Sequence, residues 1–395
     1  MLFQVLDNKR DCAGYYANQV INPATLMPTS GDTWDFSSQL LGHKYEIARI
    51  YARGATLTDV CPPSLKEDWE IIKKTLKSCL KAFNTSKLSL EENCFYDVVP
   101  ESFLYQYLEA KNKITQHVFD NYERPHNYEF IYNLIELLSD IRSAPLNIDL
   151  DPIKHLLTSV RGQNFRRTLQ TVRPVCDYNP WGTVTGRLAT QAGSFPILTM
   201  NKEFRKCIKP HHDWLIELDF NAAELRVLLA LAGIEQPKND IHDWNVKTIF
   251  NNMLTRDEAK AQTFAWLYSR RSNEQLERLY NKDVVRNKYW DGFKIETDYG
   301  RIIQDVDEHH ALNYIVQSTT IDMVHEQAYQ VYKLLKGMKS QISFLIHDAV
   351  YIDLIEAERY EILNLLDTFK KTRYGMFKVN VSAGKNLGQM KQLKL

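Results

Sequence analysis

Residues 214–233, WLIELDFNAAELRVLLALAG, decide the fold. Residues 215–220 read as a buried strand, and the apolar residues after them recur at helical spacing, so the stretch predicts a strand that runs directly into a helix. Asp219 lies at the end of the strand, where an acid needs a metal, a cation or water as its partner. The same aspartate can instead cap the helix that follows.

A second apolar stretch, 342–354 (ISFLIHDAVYIDL), predicts two strands joined by a tight turn at His347 and Asp348. The residues expected to point inward along the two arms are Phe344, Ile346, Val350 and Ile352. Aspartate is ordinary in a hairpin turn, so Asp348 alone is a weak signal. Two aspartates at the ends of adjacent strands, however, can supply the carboxylates that a pair of Mg²⁺ ions needs.

Between these stretches lies a helical pattern, 256–268 (RDEAKAQTFAWLY), with a constant step of four from Arg256 through Lys260 and Phe264 to Tyr268. A step of four keeps side chains on one face of a helix. The two cations can hold a triphosphate, and the two aromatic rings can stack on a base. The alternative is an amphipathic helix with core aromatics and solvated cations.

A third pattern, 308–318 (EHHALNYIVQS), places His309, Asn313 and Gln317 on one helical face. Amide side chains can reach the acceptors that every base pair presents in the minor groove. The alternative for this face is a polar surface in contact with solvent.

Composition limits the class of protein. The chain has 395 residues, 44% hydrophobic and 25% charged, which is typical of a soluble globular protein and allows two or three domains. There is no run of about 20 apolar residues, so we expect no membrane span. The first residues include acids and lack the apolar core of a signal peptide.

Charge and cysteine usage narrow the class further. Lys+Arg and Asp+Glu are equal at 49 each, which counts against a protein that coats DNA but allows a local basic groove beside metal-binding acids. The six cysteines are scattered without a C-x-x-C pair. This usage fits a reduced, cytoplasmic compartment and argues against a zinc site.

The N-terminal part of the chain predicts a separate region. Residues 3–18 read as a hairpin with its turn at residues 7–8. Ser64, followed by Glu67, forms a predicted capping box that opens a helix. Long helical patterns follow, so residues 62–160 predict a helical subdomain, for which a bundle with no role beyond packing is an open alternative.

The chain resembles the polymerase region of family A DNA polymerases, the bacterial DNA polymerase I type, and within that family it is most similar to the phage replicative branch. The motifs that carry the resemblance agree in order and in internal spacing. They are GTVTGRL (182–188), DFNAAELR (219–226), RDEAKAQTFAWLY (256–268) and HDAV (347–350), and both DIH (240–242) and the segment around Gln317 fit between them.

This resemblance implies an α+β, right-hand polymerase fold, in which an antiparallel sheet forms the palm and helices form the fingers and thumb. Residues 62–160 would be the thumb. The palm would combine residues 161–234 with residues 316–395, and the fingers would be residues 235–315. Residues 1–61 match no family, and their role is unknown.

The resemblance also implies roles for individual residues. Asp219, Asp348 and the backbone carbonyl of Phe220 would bind two Mg²⁺ ions, for which Mn²⁺ can substitute. Lys260 would be catalytic. The nucleotide-binding residues would be Arg256, Lys260 and His242 at the triphosphate, Phe264 and Tyr268 at the sugar and base, and Glu224 against Tyr268, where it blocks a 2′-hydroxyl. The DNA-binding residues would be Arg187, Gln317, Asn313 and His347.

The implied function is template-directed DNA synthesis, in which dNMP is added to a primer 3′-OH and pyrophosphate is released. The implied partners are primer-template DNA and dNTPs, and the chain would act as a monomer away from membranes, in the cytoplasm of a bacterial or phage-infected cell. We find no Asp-x-Glu strand in the first 60 residues, so we expect no 3′→5′ exonuclease in this chain. A separate exonuclease or a processivity factor is left open as a partner.

The sequence departs from the family pattern at three places. Ala349 follows Asp348 where the family usually has an acid, and His309 stands where it usually has a cation. Residues 189–200 (ATQAGSFPILTM) replace an asparagine-rich stretch. We therefore expect no third carboxylate from position 349, and either a weaker or a pH-dependent contact with the template-primer at position 309.

Two other functions compete with this interpretation. A single-subunit RNA polymerase shares the two palm aspartates, but Glu224 in the blocking position favours deoxynucleotides. Phe264 in place of tyrosine indicates discrimination against dideoxynucleotides. A non-catalytic DNA-binding subunit is disfavoured because both aspartates, Arg256 and Lys260 are present.

Overall fold

A computed structural model describes most of the chain, namely residues 3–5, 14–16, 19–21, 56–88, 98–268 and 273–393. The chain forms two compact units, Met1–Ser143 and Ala144–Leu395. The division between them falls inside the segment 62–160. The assignment of that segment and its neighbours to thumb, palm and fingers stays a prediction.

The first unit begins with three short antiparallel strands in the order β1-β2-β3. They are β1 (Phe3–Val5), β2 (Gly14–Tyr16) and β3 (Gln19–Ile21). The predicted pairing of the first two strands is confirmed, since Phe3 lies opposite Tyr16. The predicted turn at residues 7–8 lies outside the described residues.

Four helices follow among the described residues of the first unit. They are α1 (Leu57–Val60), α2 (Lys66–Thr85), α3 (Glu101–Asn121) and α4 (Tyr128–Ser143). Apolar residues of α2 and α3 form its core, with Trp69 and Ile72 packed in one cluster with Ile114 and Val118. The Trp69 ring stacks on Tyr107 at a centroid distance of 6.2 Å.

The predicted capping box at Ser64 and Glu67 is wrong. Ser64 lies inside a 3-10 turn, Pro63–Leu65, and the N–H of Lys66 is donated to the carbonyl of Pro63 within that turn. Helix α2 therefore continues from the turn without a side-chain cap. A capping box does open α1, where the Thr56 hydroxyl accepts from the Asp59 N–H and the Asp59 carboxylate accepts from the Thr56 N–H at 2.9 Å.

The second unit mixes short strands with helices. Its strands are β4 (Asn147–Ile148), β5 (Tyr178–Asn179), β6 (Ala189–Thr190), β7 (Ile208–Lys209), β8 (Trp214–Phe220), β9 (Ile295–Glu296), β10 (Ile302–Ile303), β11 (Gln341–Ile346), β12 (Ala349–Leu354), β13 (Lys371–Thr372), β14 (Gly375–Met376), β15 (Val379–Gly384) and β16 (Lys391–Gln392). Its helices are α5 (Val160–Thr171), α6 (Ala223–Leu231), α7 (Ile241–Thr248), α8 (Arg256–Tyr268), α9 (Glu274–Tyr280), α10 (Lys282–Tyr289), α11 (Glu308–Leu335) and α12 (Ile362–Lys370).

The central feature of this unit is a five-stranded sheet in the order β11-β12-β8-β15-β16. Its neighbouring strands are all antiparallel. Helix α12 covers one face, because the ring of Phe369 stacks on Phe220 of β8 at 4.3 Å. An antiparallel sheet with separate helices belongs to the α+β class, as predicted, while the right-hand arrangement stays a prediction.

Burial does not alternate along the hairpin β11-β12 as predicted. Phe344, Ile346, Val350 and Ile352 are buried, but Leu345 and Tyr351 between them are buried too. The prediction assumed one solvated face, whereas β12 is an interior strand whose six residues are all buried. Within the described part of the chain, no helix combines the length and apolar character that crossing a membrane requires.

Candidate active site

The two aspartates come together at one end of the central sheet. Strands β8 and β12 are antiparallel neighbours, and Asp219 lies directly opposite Ala349, the residue that follows Asp348. The turn between β11 and β12 has His347 in the left-handed region, with φ of 54°, which permits a two-residue connection. Asp348 is therefore both a turn residue and a neighbour of the strand that carries Asp219.

Asp219 does not cap the helix that follows it. The N-cap of α6 is Ala222, in the left-handed region with φ of 50°, and it makes no side-chain cap. The capping alternative is therefore wrong for Asp219. The hydrogen bond that the described residues give its carboxylate is a long one, from Asn380 Nδ2 at 3.5 Å.

Burial raises the pKa of Asp219 to about 7, helped by the negative charges of Asp348 and Glu217 and opposed by the Asn380 hydrogen bond and the positive charge of Lys260. Burial also raises the pKa of Asp348. Two sparsely compensated carboxylates side by side favour a cation between them. Among the described residues, no group of three or more His, Cys, Asp or Glu side chains is arranged to hold a metal. A cation here would thus depend on the two aspartates together with backbone and solvent oxygens.

The sequence interpretation missed a third acid beside this pair. Glu217 precedes Asp219 by two positions on β8, so the two side chains share one face of the strand. The Tyr351 hydroxyl donates a hydrogen bond to Glu217 Oε1 at 2.5 Å. The period of two in β8 was the signal that could have identified Glu217.

Helix α8 (Arg256–Tyr268) begins at the predicted residue, and its aromatic stripe is not core. The residues that it buries are Ala259, Thr263, Trp266 and Leu267. The Tyr268 side chain is exposed, and its ring stacks on the half-buried Phe264 at 6.0 Å with an interplanar angle of 9°. The alternative with core aromatics is therefore wrong, and the helix leaves an aromatic surface uncovered by the described residues.

The two cations of α8 differ in their surroundings. Lys260 is exposed and forms no ion pair with the residues that the structure describes. Arg256 is held by Asp240, whose carboxylate lies 2.8 Å from Arg256 Nη2. Lys260 is consequently the cation of this helix that can meet an anionic ligand without first breaking an ion pair.

His242 is buried on α7, with its ring 5.8 Å from that of Phe264. Burial lowers its pKa to about 4, so the imidazole is neutral near pH 7. Its Nδ1 has no hydrogen-bond partner among the described residues. His242 therefore adds no positive charge to the site.

A buried polar network connects β8 to α8, and sequence reasoning missed it. The guanidinium of Arg226 is fully buried and donates to the carbonyl of Asn221 and to carbonyls in the segment 237–239. Asn221 Nδ2 donates to Asp240 at 2.7 Å, and Asp240 in turn holds Arg256. Burial opposes ionisation of Asp240, but the hydrogen bonds from Arg256 and Asn221 outweigh it and hold its pKa well below the ordinary value.

The residues predicted to contact DNA lie on three elements. Arg187 Nη2 is 2.7 Å from Glu224 Oε1, so Glu224 pairs with Arg187 in this structure, whereas contact with Tyr268 was expected. Asn313 and Gln317 are half-buried on α11, and Asn313 Oδ1 has no partner in the described parts of the chain. His309 and His347 are exposed.

Comparison with known proteins gives a structural relative. No protein-family profile matches the chain, and no curated protein is similar to it in sequence. The fold is similar to that of the polymerase domain of Pol1 from M. smegmatis, solved in complex with a DNA primer-template and dNTP. The TM-score is 0.55 at 14% sequence identity, covering 72% of this chain and 75% of that chain. The similarity establishes a shared fold.

Proposed function

We propose that the chain is a template-directed DNA polymerase that adds dNMP to a primer 3′-OH and releases pyrophosphate. The observation that carries the proposal is the strand register that puts Asp219 opposite Ala349 and hence beside Asp348. The open cationic and aromatic face of α8 supports it, as does the fold shared with a domain that was solved with primer-template and dNTP.

Asp219, Asp348 and the backbone carbonyl of Phe220 would hold two Mg²⁺ ions, for which Mn²⁺ can substitute. Bound ions would neutralise charge on the oxygens that attack and leave. The two carboxylates suit this role because they are partly buried and sparsely hydrogen-bonded, so an ionised pair is unfavourable without cations.

The nucleotide would lie along α8. Lys260 would neutralise the triphosphate, Arg256 would exchange Asp240 for phosphate oxygens, and the neutral His242 would donate a hydrogen bond. The stacked rings of Phe264 and Tyr268 would pack against the sugar and base. Positioning and charge neutralisation are the main protein contributions to phosphoryl transfer, and these side chains supply both.

The new base pair would meet Arg187 and Gln317 in the minor groove, with Asn313 in support and His347 near the primer end. Glu224 would exclude a 2′-hydroxyl, which favours dNTPs over rNTPs. Comparison of dGTP with rGTP incorporation separates this proposal from an RNA polymerase. Equal use of both nucleotides by the wild type would favour the RNA polymerase.

The proposal is tested by primer extension in Mg²⁺ with Asp219→Asn and Asp348→Asn. Each change removes a metal-binding charge, and we expect a loss of about 1,000-fold or more in rate. Asp305→Asn is the matched control because Asp305 is exposed and its left-handed backbone suits asparagine. Survival of a tenth of the activity in either active-site variant would exclude the metal assignment.

We also propose that the chain lacks 3′→5′ editing. A labelled primer incubated with the chain and Mg²⁺ in the absence of dNTPs should stay intact. Rapid shortening of the primer, unaffected by Asp219→Asn, would show an exonuclease site elsewhere in the chain.

A further inference from the structure

A buried ion pair lies under the turn that carries Arg187. Arg301 precedes β10, and its Nε and Nη2 donate to the two carboxylate oxygens of Asp322 at 2.9 and 2.6 Å. Asp322 lies within α11 and is fully buried, and the Arg301 side chain is 18% exposed. A two-point contact between planar groups fixes both position and orientation of the guanidinium.

The backbone of Gly186 rests against this fixed guanidinium. A Cβ built on Gly186 would lie 2.2 Å from Arg301 Nη2 and 2.4 Å from Cζ, far inside contact distance. Gly186 also has φ of 82°, in the left-handed region. The Asp322 carboxylate prevents Arg301 from swinging aside, so only glycine fits at this position.

The same turn sets the backbone of Arg187. The Gly186 N–H donates to the carbonyl of Thr183 at 3.3 Å, and the Thr183 hydroxyl donates to the carbonyl of Arg187 at 2.8 Å. The Arg187 side chain then reaches Glu224 at 2.7 Å. The ion pair and the turn thus leave Arg187 little freedom at its backbone.

We propose that Arg301, held by Asp322, is a positioning residue that fixes the Gly186–Arg187 backbone so that Arg187 meets the minor groove of the newly formed base pair. This inference rests on the proposed polymerase function. Arg301 would act through Arg187 and would not touch DNA or nucleotide. Selection of correct pairs would then depend on Arg301 and Asp322, which lie outside the sequence motifs quoted above.

Gly186→Ala tests the contact, and Gly337→Ala is its matched control. Both glycines have nearly equal positive φ, 82° and 86°, but nothing lies within 4 Å of a Cβ at Gly337. The two alanines therefore share the backbone strain, and only the first collides with Arg301. We expect Gly186→Ala to lower kcat/KM for extension of a matched primer about tenfold or more, with the control within about twofold of wild type.

Arg187→Ala and Arg301→Lys show whether the effect passes through Arg187. Gly186→Ala should add little to Arg187→Ala, because the side chain that it misplaces is already absent. Arg301→Lys keeps a charge opposite Asp322 but loses the flat surface, so it should reproduce the loss. The inference would be overturned if the losses in kcat/KM of Gly186→Ala and Arg187→Ala were fully additive in the double variant. It would also be overturned if Gly186→Ala and Arg301→Lys both extended primers at the wild-type rate.

Amide hydrogen exchange of the free protein gives a readout that needs no catalysis. Exchange in peptides covering 180–190 should be faster in Gly186→Ala and Arg301→Lys than in wild type and Gly337→Ala. Unchanged exchange there would overturn the positioning role even in an active enzyme. A wild type that extends no primer would overturn the polymerase proposal instead, while the exchange result would still decide whether Arg301 orders this turn.

Discussion

At the scale of single residues, the site depends on charges that the fold does not neutralise. Asp219 has a pKa raised to about 7, and the described residues give it one long hydrogen bond. Glu217 adds a third negative charge on the face of β8 that carries Asp219. Opposite Asp219 lies Ala349, which has no charge. Position 349 carries no carboxylate, as expected from the sequence, and the negative charge of Glu217 instead acts on Asp219 from within the same strand.

Glu217→Gln should weaken Mn²⁺ binding by about three- to tenfold, since a charge interaction in a partly exposed site contributes on the order of 1 kcal/mol. Glutamine keeps a carbonyl to accept from Tyr351, so the change removes charge with little loss of shape. Titration of free Mn²⁺ by electron paramagnetic resonance measures the affinity. Glu296→Gln, at an exposed acid of β9, serves as control, and equal affinities for both variants would rule out a charge role for Glu217.

His325 should make stability pH-dependent. It is 1% exposed on α11, neither ring nitrogen has a partner in the described residues, and burial lowers its pKa to about 3, helped by the Arg301 charge. The unfolded chain binds a proton below about 6.5 while the folded chain does not, so stability is lost as pH falls from about 6.5 towards 3.

His325→Leu should therefore reduce the pH dependence of the free energy of unfolding by about 1 kcal/mol per pH unit between pH 6 and 5. Urea unfolding at several pH values measures it. An identical pH dependence in wild type and variant would mean that His325 gains a proton, or a partner, in the folded state.

At the scale of elements, the helix α8 depends on a buried connection to β8. Arg226 anchors Asn221 and the segment 237–239, and Asn221 holds Asp240 at the start of α7. Asp240 reaches Arg256 at the start of α8. Side-chain hydrogen bonds therefore connect the end of β8, the segment 237–239 and the start of α8, in addition to the backbone that links them.

Arg226→Met should lower the free energy of unfolding by about 3 kcal/mol, because it leaves several buried carbonyls without donors. Arg278→Met, at an exposed arginine of α9, should change it by less than about 0.5 kcal/mol. Urea denaturation of both variants measures the difference. If Arg226→Met lowers the free energy of unfolding no more than Arg278→Met does, water replaces the hydrogen bonds of the guanidinium.

At the scale of the whole molecule, the residues of the candidate site all belong to one compact unit, Ala144–Leu395. Asp219, Asp348 and the helix α8 need no residue of the first unit for their described contacts. If residues 62–143 act as part of a thumb, they are needed for DNA binding and not for the integrity of the site.

A fragment of residues 144–395 should therefore fold cooperatively and bind Mn²⁺ with an affinity within about twofold of the full chain. Its affinity for primer-template should fall by about tenfold or more, since phosphate contacts dominate DNA affinity and a thumb would supply part of them. Calorimetry, Mn²⁺ titration and fluorescence anisotropy measure the three properties. Unchanged DNA affinity in a folded fragment would argue against a thumb in the first unit.

The sequence alone determined the elements whose signals are local. The start of α8, the strand at Asp219 and the turn at His347-Asp348 follow from periodicity and turn chemistry within a few residues. Local signals also misled: Ser64 and Glu67 have capping-box spacing, yet a 3-10 turn led by proline satisfies the helix start. The predicted alternation along β12 was wrong because all six of its residues are buried.

Only the tertiary structure decided which distant residues meet. Three contacts join segments more than a hundred positions apart. They are the pairing of Asp219 with Ala349, the Glu217–Tyr351 hydrogen bond and the packing of Gly186 against Arg301. Such contacts depend on strand register and on packing in three dimensions, and short-range sequence patterns contain no information about either. The sequence thus determined which chemical groups the chain carries and on which elements, and the fold determined which of them share a site.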